Sequence, residues 1–232
     1  DAMGVLSDGT IIGVHTRFGG TNFVDTYLIN PTTGTATVPT TSTITLNGSW
    51  GDGMFALDEA NNRYYLMSST SGENATLYTL ELSSGNLLNT ANLTGDAPQR
   101  IDSIEVLADG SLLGIDQGIG SFDSYLINPT TAVATAYANP SFNAVGGWAE
   151  NMFAVNNADG EFYLMTDPSG SGPAAWFTQD LSDGSQSASG TLSGADAPIR
   201  IDAFGLADPI PEPSALLAAL LGSLGLLKRR RS

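Results

Sequence analysis

The chain has 232 residues, with 8 Lys and Arg against 24 Asp and Glu, one His, no Cys and a net charge of −16 at pH 7. This acidic balance argues against nucleic acid as a partner, because phosphates are bound by cations that displace their counterions. The lack of cysteine excludes disulfides, thiolate metal sites and cysteine nucleophiles.

The two halves of the chain repeat each other at a spacing of about 100 residues. The segment VLSDGTIIGV at 5–14 returns as VLADGSLLGI at 106–115. The segment YLINPTT at 27–33 returns unchanged at 125–131. Self-similarity of this kind indicates a repeat architecture.

Each half divides again into two weaker repeats, since YLINPTTG at 27–34 has a degenerate partner, YTLELSSG, at 78–85. The chain therefore contains four units of about 50 residues. We place them in residues 1–208, as blades at about 1–49, 50–99, 100–147 and 148–200 with a closing strand at 201–207.

Short antiparallel strands are predicted within each unit. Residues 76–82 alternate apolar and polar side chains, and Asp-Gly or Asn-Asn pairs join the β-rich runs at hairpin spacing. The pairs are Asp8-Gly9, Asn61-Asn62, Asp109-Gly110 and Asp159-Gly160. Four short strands in every 50 or so residues predict an all-β fold, a β-propeller-like array of four-stranded blades. The layout resembles secreted YVTN and WD40-like propellers, and a tandem of β-sandwiches is the alternative.

The ends of the repeat predict that residues before Asp1 are missing. The first strand of the first blade is already present, yet residues 201–207 begin a further blade. Propellers commonly close by letting one terminus complete the blade of the other, because a free edge strand invites pairing with another chain. No basic and apolar secretion signal opens the sequence, so we expect one upstream.

An acidic residue recurs at the start of each predicted first strand. The acids are Asp1, Asp52, Asp102, Glu150 and Asp202, and two residues before the last four stand Trp50, Arg100, Trp148 and Arg200. Positions two and four residues after each acid are apolar. Because strand side chains alternate between faces, each acid shares a face with these apolar residues. We expect the acids to converge at one end of the central channel.

Two interpretations of these acids stay open. Converging carboxylates can hold Ca²⁺ through oxygen ligands, which makes Asp52, Asp102, Glu150 and Asp202 a candidate metal set. The rings of Trp50 and Trp148, with Arg100 and Arg200, are candidate ligand-binding groups. The favoured interpretation is structural, with each acid accepting backbone N–H groups or pairing with a neighbouring arginine.

The last segment, residues 209–232, differs in composition from all that precedes it. It contains a Pro-Glu-Pro motif, an apolar run from Ala215 to Leu227 and four cations in succession. The tail has a net charge of +3 and the first 208 residues therefore carry −19. A helix over the thirteen apolar residues would be roughly 20 Å long, short of the ~30 Å core of a bilayer.

This order of segments resembles the PEP-CTERM sorting signal of exported proteins in Gram-negative bacteria that make exopolysaccharide. The resemblance implies that an exosortase in the inner membrane recognises Pro211, Glu212 and Pro213. It also implies a short membrane helix at 214–227, and retention of the basic end on the cytoplasmic side agrees with the positive-inside rule. The cations that would set this orientation are Lys228, Arg229, Arg230 and Arg231.

The sequence thus predicts a non-enzymatic protein that is exported, tethered transiently to the inner membrane and delivered to the cell surface or the extracellular matrix. Its repeat domain would bind exopolysaccharide or another envelope protein, or serve a structural role. The alternative is a secreted polysaccharide hydrolase or lyase in which two of the channel acids act as acid and base.

Overall fold

The computed structural model of the protein describes residues 2–17, 22–38, 44–48, 54–117, 122–136, 153–166 and 174–193. Within these ranges the chain forms eighteen β-strands, one 3₁₀-helix and no α-helix. The strands lie in four sheets, each built from a continuous segment of the chain, and the first and third sheets each have one short additional strand. The predicted all-β class and the four-stranded antiparallel sheets are confirmed.

The first sheet contains β1 (Ala2–Val5), β2 (Ile11–Arg17), β3 (Asn22–Asn30) and β4 (Thr35–Thr37), with β5 (Ile44–Leu46) paired to β3. The second contains β6 (Phe55–Asp58), β7 (Arg63–Ser68), β8 (Thr76–Glu81) and β9 (Leu87–Asn92), with η1 (Glu59–Asn61) between β6 and β7. The third contains β11 (Ser103–Val106), β12 (Leu112–Gln117), β13 (Phe122–Ile127) and β14 (Val133–Ala136), joined by β10 (Thr94–Gly95). The fourth contains β15 (Phe153–Asn156), β16 (Glu161–Thr166), β17 (Ala175–Asp180) and β18 (Gln186–Thr191).

In the first and third sheets, an Asp-Gly turn sets the hairpin that joins the first two strands. In the third sheet Asp109 accepts hydrogen bonds from the backbone N and hydroxyl of Ser111, and Gly110 adopts a positive φ of 83°. Asp8 and Gly9 repeat this turn in the first sheet. Residues that close their own turns in this way fix the register of the flanking strands.

Three apolar cores lie between successive sheets. One joins the first and second sheets, the next joins the second and third, and the last joins the third and fourth. Alternation along β7 shows how one sheet serves two cores, because Tyr64 and Leu66 pack toward the first sheet while Tyr65 and Met67 pack toward the third. A sheet buried on both faces fits a row of face-to-face blades better than a β-sandwich tandem.

A short parallel strand pair also connects the second sheet to the third. β10 follows the last strand of the second sheet and pairs with β14 in register Thr94↔Val133 and Gly95↔Ala134. Gly95 has a φ of +80°, and a Cβ there would lie 2.5 Å from the Ala134 carbonyl oxygen. Only glycine fits at this close approach of two backbones.

Two predicted elements, the closing strand at 201–207 and the short helix at 214–227, lie outside the described residues. Among the strands that are described, none of the first sheet pairs with one of the fourth. No helix in the described part of the chain has the length and apolar character needed to cross a membrane.

Candidate functional site

Asp102 stands directly before β11 and is the one repeated acid that the structure describes. Its backbone N donates to the Ile115 carbonyl at 2.7 Å, and the residue is 1% exposed. Its carboxylate accepts a hydrogen bond from Nε of Arg100, whose side chain is 58% exposed. The ion pair therefore lies at the start of β11, with the guanidinium of Arg100 at the surface and the carboxylate of Asp102 buried.

Two more carboxyl groups, Asp116 and Asp123, lie beside this pair. They are Cα partners across β12 and β13. The pKa of Asp116 is raised to about 6, mainly by burial and also by the charges of Asp102 and Asp123, against the opposing effect of Arg100. We call Asp102, Asp116 and Asp123, with Arg100, the acidic cluster.

Tyr125 lies two residues after Asp123 on β13, in the negative field of the acidic cluster. Burial, followed by the charges of Asp123, Asp116 and Asp96, raises the pKa of Tyr125 to about 12. Asp96 is held nearby because its carboxylate accepts the backbone N–H of Ala136 at 3.2 Å. One cation thus faces several anions, an arrangement that can attract a cationic group or keep one carboxyl protonated near neutral pH.

The predicted metal and ligand residues are only partly described. Arg100 and Asp102 are brought together, whereas the others lie outside the described residues: Asp1, Trp50, Asp52, Trp148, Glu150, Arg200 and Asp202, with the tail residues Pro211, Glu212, Pro213, Lys228, Arg229, Arg230 and Arg231. In the described part of the chain, no three His, Asp or Glu side chains are placed to hold a metal ion. The Ca²⁺ set therefore stays a prediction.

Sequence reasoning missed Asp116 and Asp123, although a signal for Asp123 was present. Asp25 and Asp123 both precede the repeated YLINPTT segment by two residues. In the first sheet the partner of Asp25 across the strands is His15, at the position that Asp116 occupies in the third. The pair Asp116 and Asp123 is therefore specific to one half of the repeat.

A second polar feature lies between the second and third sheets, where the hairpins of their inner strands meet. It is a cavity of about 410 Å³, whose lining includes Leu57, Asp58, Glu59, Glu105, Asp109 and Asn157. Glu105 is half-buried there, and burial raises its pKa to about 7, opposed in part by a hydrogen bond from the backbone N–H of Val106. The carboxyl of Glu105 can therefore change its charge near neutral pH.

Replacing Asp116 with Asn should stabilise the protein at pH 7.5. The folded-state pKa of Asp116 lies above its ordinary value, so the folded state binds more protons than the unfolded one between about pH 4 and 6. Stability contributed by the protonated carboxyl is thus lost as pH rises through 6. We expect a melting temperature a few degrees higher for Asp116→Asn at pH 7.5, and little difference at pH 4. Water screens part of this effect, since the carboxyl is only half-buried.

Asp109→Asn is the matched control for this experiment. Hydrogen bonds from the side chain and backbone of Ser111 lower the pKa of Asp109, so the folded state stabilises the charged form of this carboxyl. The same substitution at Asp109 should therefore lower the melting temperature at pH 7.5. Shifts of equal sign in the two variants would contradict the assigned environments of the two carboxyls.

Comparison with known proteins gives matches only at the level of solved structures. No protein-family model and no curated protein matches the chain. A puromycin hydrolase structure matches with a TM-score of 0.54 at 14% identity, over 88% of this chain and 32% of that one. A protein assigned as a 6-phosphogluconolactonase, from Bacteroides uniformis, matches at 0.52 and 15%, over 84% and 57%. A protein assigned as a TolB, from Agrobacterium tumefaciens, matches at 0.52 and 14%, over 79% and 62%.

These likenesses show the fold alone. The row of four-stranded sheets resembles the blades of TolB-like β-propellers. The chain spans about a third to three fifths of the length of the solved structures just named.

Proposed function

We propose that this protein is an exported, non-enzymatic propeller module that acts in the cell envelope or the exopolysaccharide matrix as a binding or structural component. The observation that carries the proposal is the pairing of Asp102 with Arg100. Asp102 is buried at the end of a strand and held by its own backbone hydrogen bond and by the arginine. A carboxylate fixed in this way supports the framework of the sheet rather than a reacting substrate.

The charge of the domain supports an exported location of this kind. Residues 1–208 carry a net charge of −19 without any lysine. Such a surface keeps the domain soluble and away from anionic lipid and nucleic acid. It also suits a hydrated matrix that is rich in divalent ions.

We propose that the tail directs the protein to the envelope, because it resembles PEP-CTERM signals. If Pro211, Glu212 and Pro213 are recognised by an exosortase, replacing all three with alanine should leave the full-length chain in the inner membrane. The expected readout is an immunoblot of fractionated cells of a Gram-negative host that encodes an exosortase. The unsubstituted chain should give a shorter form in the outer fractions.

The control for this experiment alters the flanks of the motif. Ile210→Ala with Ser214→Ala changes the adjacent residues and keeps the Pro-Glu-Pro, so processing should continue. Unchanged processing of the triple-alanine chain would refute sorting through this motif.

A second candidate, a polysaccharide hydrolase or lyase, is favoured by one observation in the acidic cluster. Asp116 has a pKa of about 6 beside two other carboxyl groups. Neighbouring carboxyls with separated pKa values can act as general acid and base on a glycosidic bond. The cluster is therefore the place where catalysis on this scaffold would occur.

An assay of reducing-sugar release separates the two candidates. The protein is incubated with exopolysaccharide from a host that encodes the exosortase, and Asp116→Asn is compared with Asp109→Asn. Release that is lost only in Asp116→Asn would favour the enzyme. Retention of the polysaccharide in a pull-down without release of sugar would favour the binding module.

A further inference from the structure

Glu105 occupies a position of the repeat where the other three sheets have no polar side chain. Counting three residues on from each repeated acid gives Gly4, Phe55, Glu105 and Phe153. Phe55 and Phe153 pack at the apolar cores beside them, and each contacts an aromatic ring of the neighbouring strand, with ring centroids 6.0 and 5.6 Å apart. The third sheet thus has a carboxyl group where the second and fourth have a stabilising ring.

The carboxyl of Glu105 has no cation as a partner among the residues that the structure describes. It lines the cavity between the second and third sheets and lies deep in the molecule, so that burial raises its pKa to about 7. The backbone N–H of Val106 is the one group that opposes this shift. A buried carboxyl without a counter-charge lowers the stability of the fold as pH rises through its pKa. Groups that are kept at such a cost are frequent at functional sites.

The side chains around the cavity can accept hydrogen bonds but have few left to donate. The amide of Asn61 donates to both carboxylate oxygens of Asp58, and the amide of Asn157 donates to the Val106 carbonyl. Carboxylates only accept. Among the lining residues that the structure describes, none is a lysine, an arginine or a histidine. The cavity therefore favours a ligand that donates hydrogen bonds and carries a positive charge.

Hydrogen bonds between neighbouring hairpins hold two walls of the cavity in place. On one wall, both carboxylate oxygens of Glu59 accept from Ser7, one from the backbone N at 2.8 Å and the other from the hydroxyl at 2.6 Å. On the other wall, Asn157 accepts the backbone N–H of Ala108 at 2.9 Å. Polar groups that are fixed before a ligand enters lose less entropy when it binds.

We propose that this cavity binds an amino sugar, with the Glu105 carboxylate as the counter-ion of the sugar's ammonium group. An ammonium group has three donors and a positive charge, which are the features that the lining lacks. The volume of about 410 Å³ lies within the range of small-molecule pockets, about 300 to 1,000 Å³. This inference deepens the proposed matrix-binding role and rests on it for the choice of a sugar.

The other residues of the lining suit the same ligand. Asp58 and Glu59 add negative charge from the second sheet. Asp109, on the hairpin of the third sheet, uses its carboxylate to close its own turn, and the fourth sheet contributes an uncharged amide. Leu57 and Val106 line the cavity as well, and their half-buried side chains can pack against the C–H groups of a sugar ring.

Isothermal titration of the whole chain with a tetramer of glucosamine tests the proposal. The tetramer should bind in 0.15 M NaCl, and the tetramer of N-acetylglucosamine, which has no ammonium group, should bind at least about 10-fold more weakly. Glu105→Gln keeps the shape of the side chain and should raise the Kd about 30-fold. Glu73→Gln is the matched control, because Glu73 is exposed in the loop between β7 and β8, at the other end of the second sheet. This control should leave the Kd unchanged.

Proton release distinguishes an ion pair from a packing role of Glu105. At pH 6 this carboxyl is largely protonated, because its pKa is about 7, and an ammonium group that pairs with it displaces the proton. Titrations in two buffers of different ionisation enthalpy should therefore show about one proton released per ligand at pH 6 and no release at pH 8. The release at pH 6 should be absent in Glu105→Gln.

Four results would overturn the proposal. Equal binding of the two tetramers would show that the ammonium group is not recognised. Spermidine that binds as tightly as the glucosamine tetramer would show that charge alone attracts the ligand. An equal loss of affinity in Glu73→Gln would assign the attraction to the net charge of the protein. If the glucosamine tetramer does not bind but exopolysaccharide is retained in the pull-down, this inference fails while the proposed binding module stands.

Discussion

Arg100→Met should lower the free energy of unfolding by about 2 to 3 kcal/mol, because it leaves the buried carboxylate of Asp102 without its cation. Removing one partner of a fully buried ion pair typically costs about 3 to 5 kcal/mol. The smaller value reflects the 58% exposure of the arginine side chain, where water screens the pair. Loss of the arginine also removes the one interaction that lowers the pKa of Asp116, so that pKa should rise further. Urea denaturation at pH 7.5 measures the stability change.

Two further variants isolate the charge effect. Arg63→Met removes a cation from β7, where the side chain is exposed, and should change stability by no more than about 0.5 kcal/mol. In a background of Asp102→Asn, Arg100→Met should cost clearly less than in the wild type, since the uncompensated charge is gone. Equal costs in the two backgrounds would show that Arg100 acts through packing alone.

Gly48→Ala should be the most destabilising of the single substitutions considered for this protein. Gly48 follows β5 with a φ of +91°, and a Cβ there would overlap the Ser69 carbonyl oxygen and crowd Thr70 Oγ1. The backbones at Gly48 and Ser69 cannot move apart freely, because the neighbouring Asn47 is hydrogen-bonded to Tyr78 and Ser68 of the second sheet. Backbone strain and overpacking together should cost roughly 3 to 5 kcal/mol.

Gly72→Ala separates the two causes. Gly72 has a similar φ of +83°, but no atom lies within 4 Å of the Cβ position. Alanine at Gly72 should therefore cost only the conformational strain, about 1 to 2 kcal/mol. Unfolding curves that give equal losses for the two variants would show that the contact with Ser69 is unimportant.

Much of the local structure followed from the sequence because the chain repeats itself. The Asp-Gly turns closed hairpins at Asp8 and Asp109 as expected, since their geometry depends on residues that are adjacent in the chain. The prediction of a simple turn at Asn61-Asn62 was less complete. There Asp58 accepts the backbone N of Asn61, and the 3₁₀-helix η1 forms before Asn62 turns with a φ of 54°.

Contacts between distant segments were harder to foresee. The parallel pairing of β10 with β14 depends on the position of the third sheet, which no local pattern encodes. The nearness of Asp116 and Asp123 to Asp102 depends on which residues face each other across β12 and β13. The alternation of apolar and polar residues along a strand predicts which face of the sheet a side chain lies on. Its neighbours on that face depend on how whole sheets pack.

Side-chain hydrogen bonds join the first sheet to the second and the third sheet to the fourth in corresponding places. The first and second sheets are joined by Ser7 to Glu59 and by Thr26 to the hydroxyl of Tyr64. The third and fourth are joined in the corresponding places by Ala108 to Asn157 and by Gln179 to Ser124.

The cavity lies between these pairs, where the hairpins of the second and third sheets meet. Two sheets, about 100 residues, thus repeat along the chain together with the side-chain hydrogen bonds that join them. A gene that grew by copying such a unit would add blades in twos and copy these hydrogen bonds with them. Hydrogen exchange in the native state should then show each pair of sheets opening as one cooperative block.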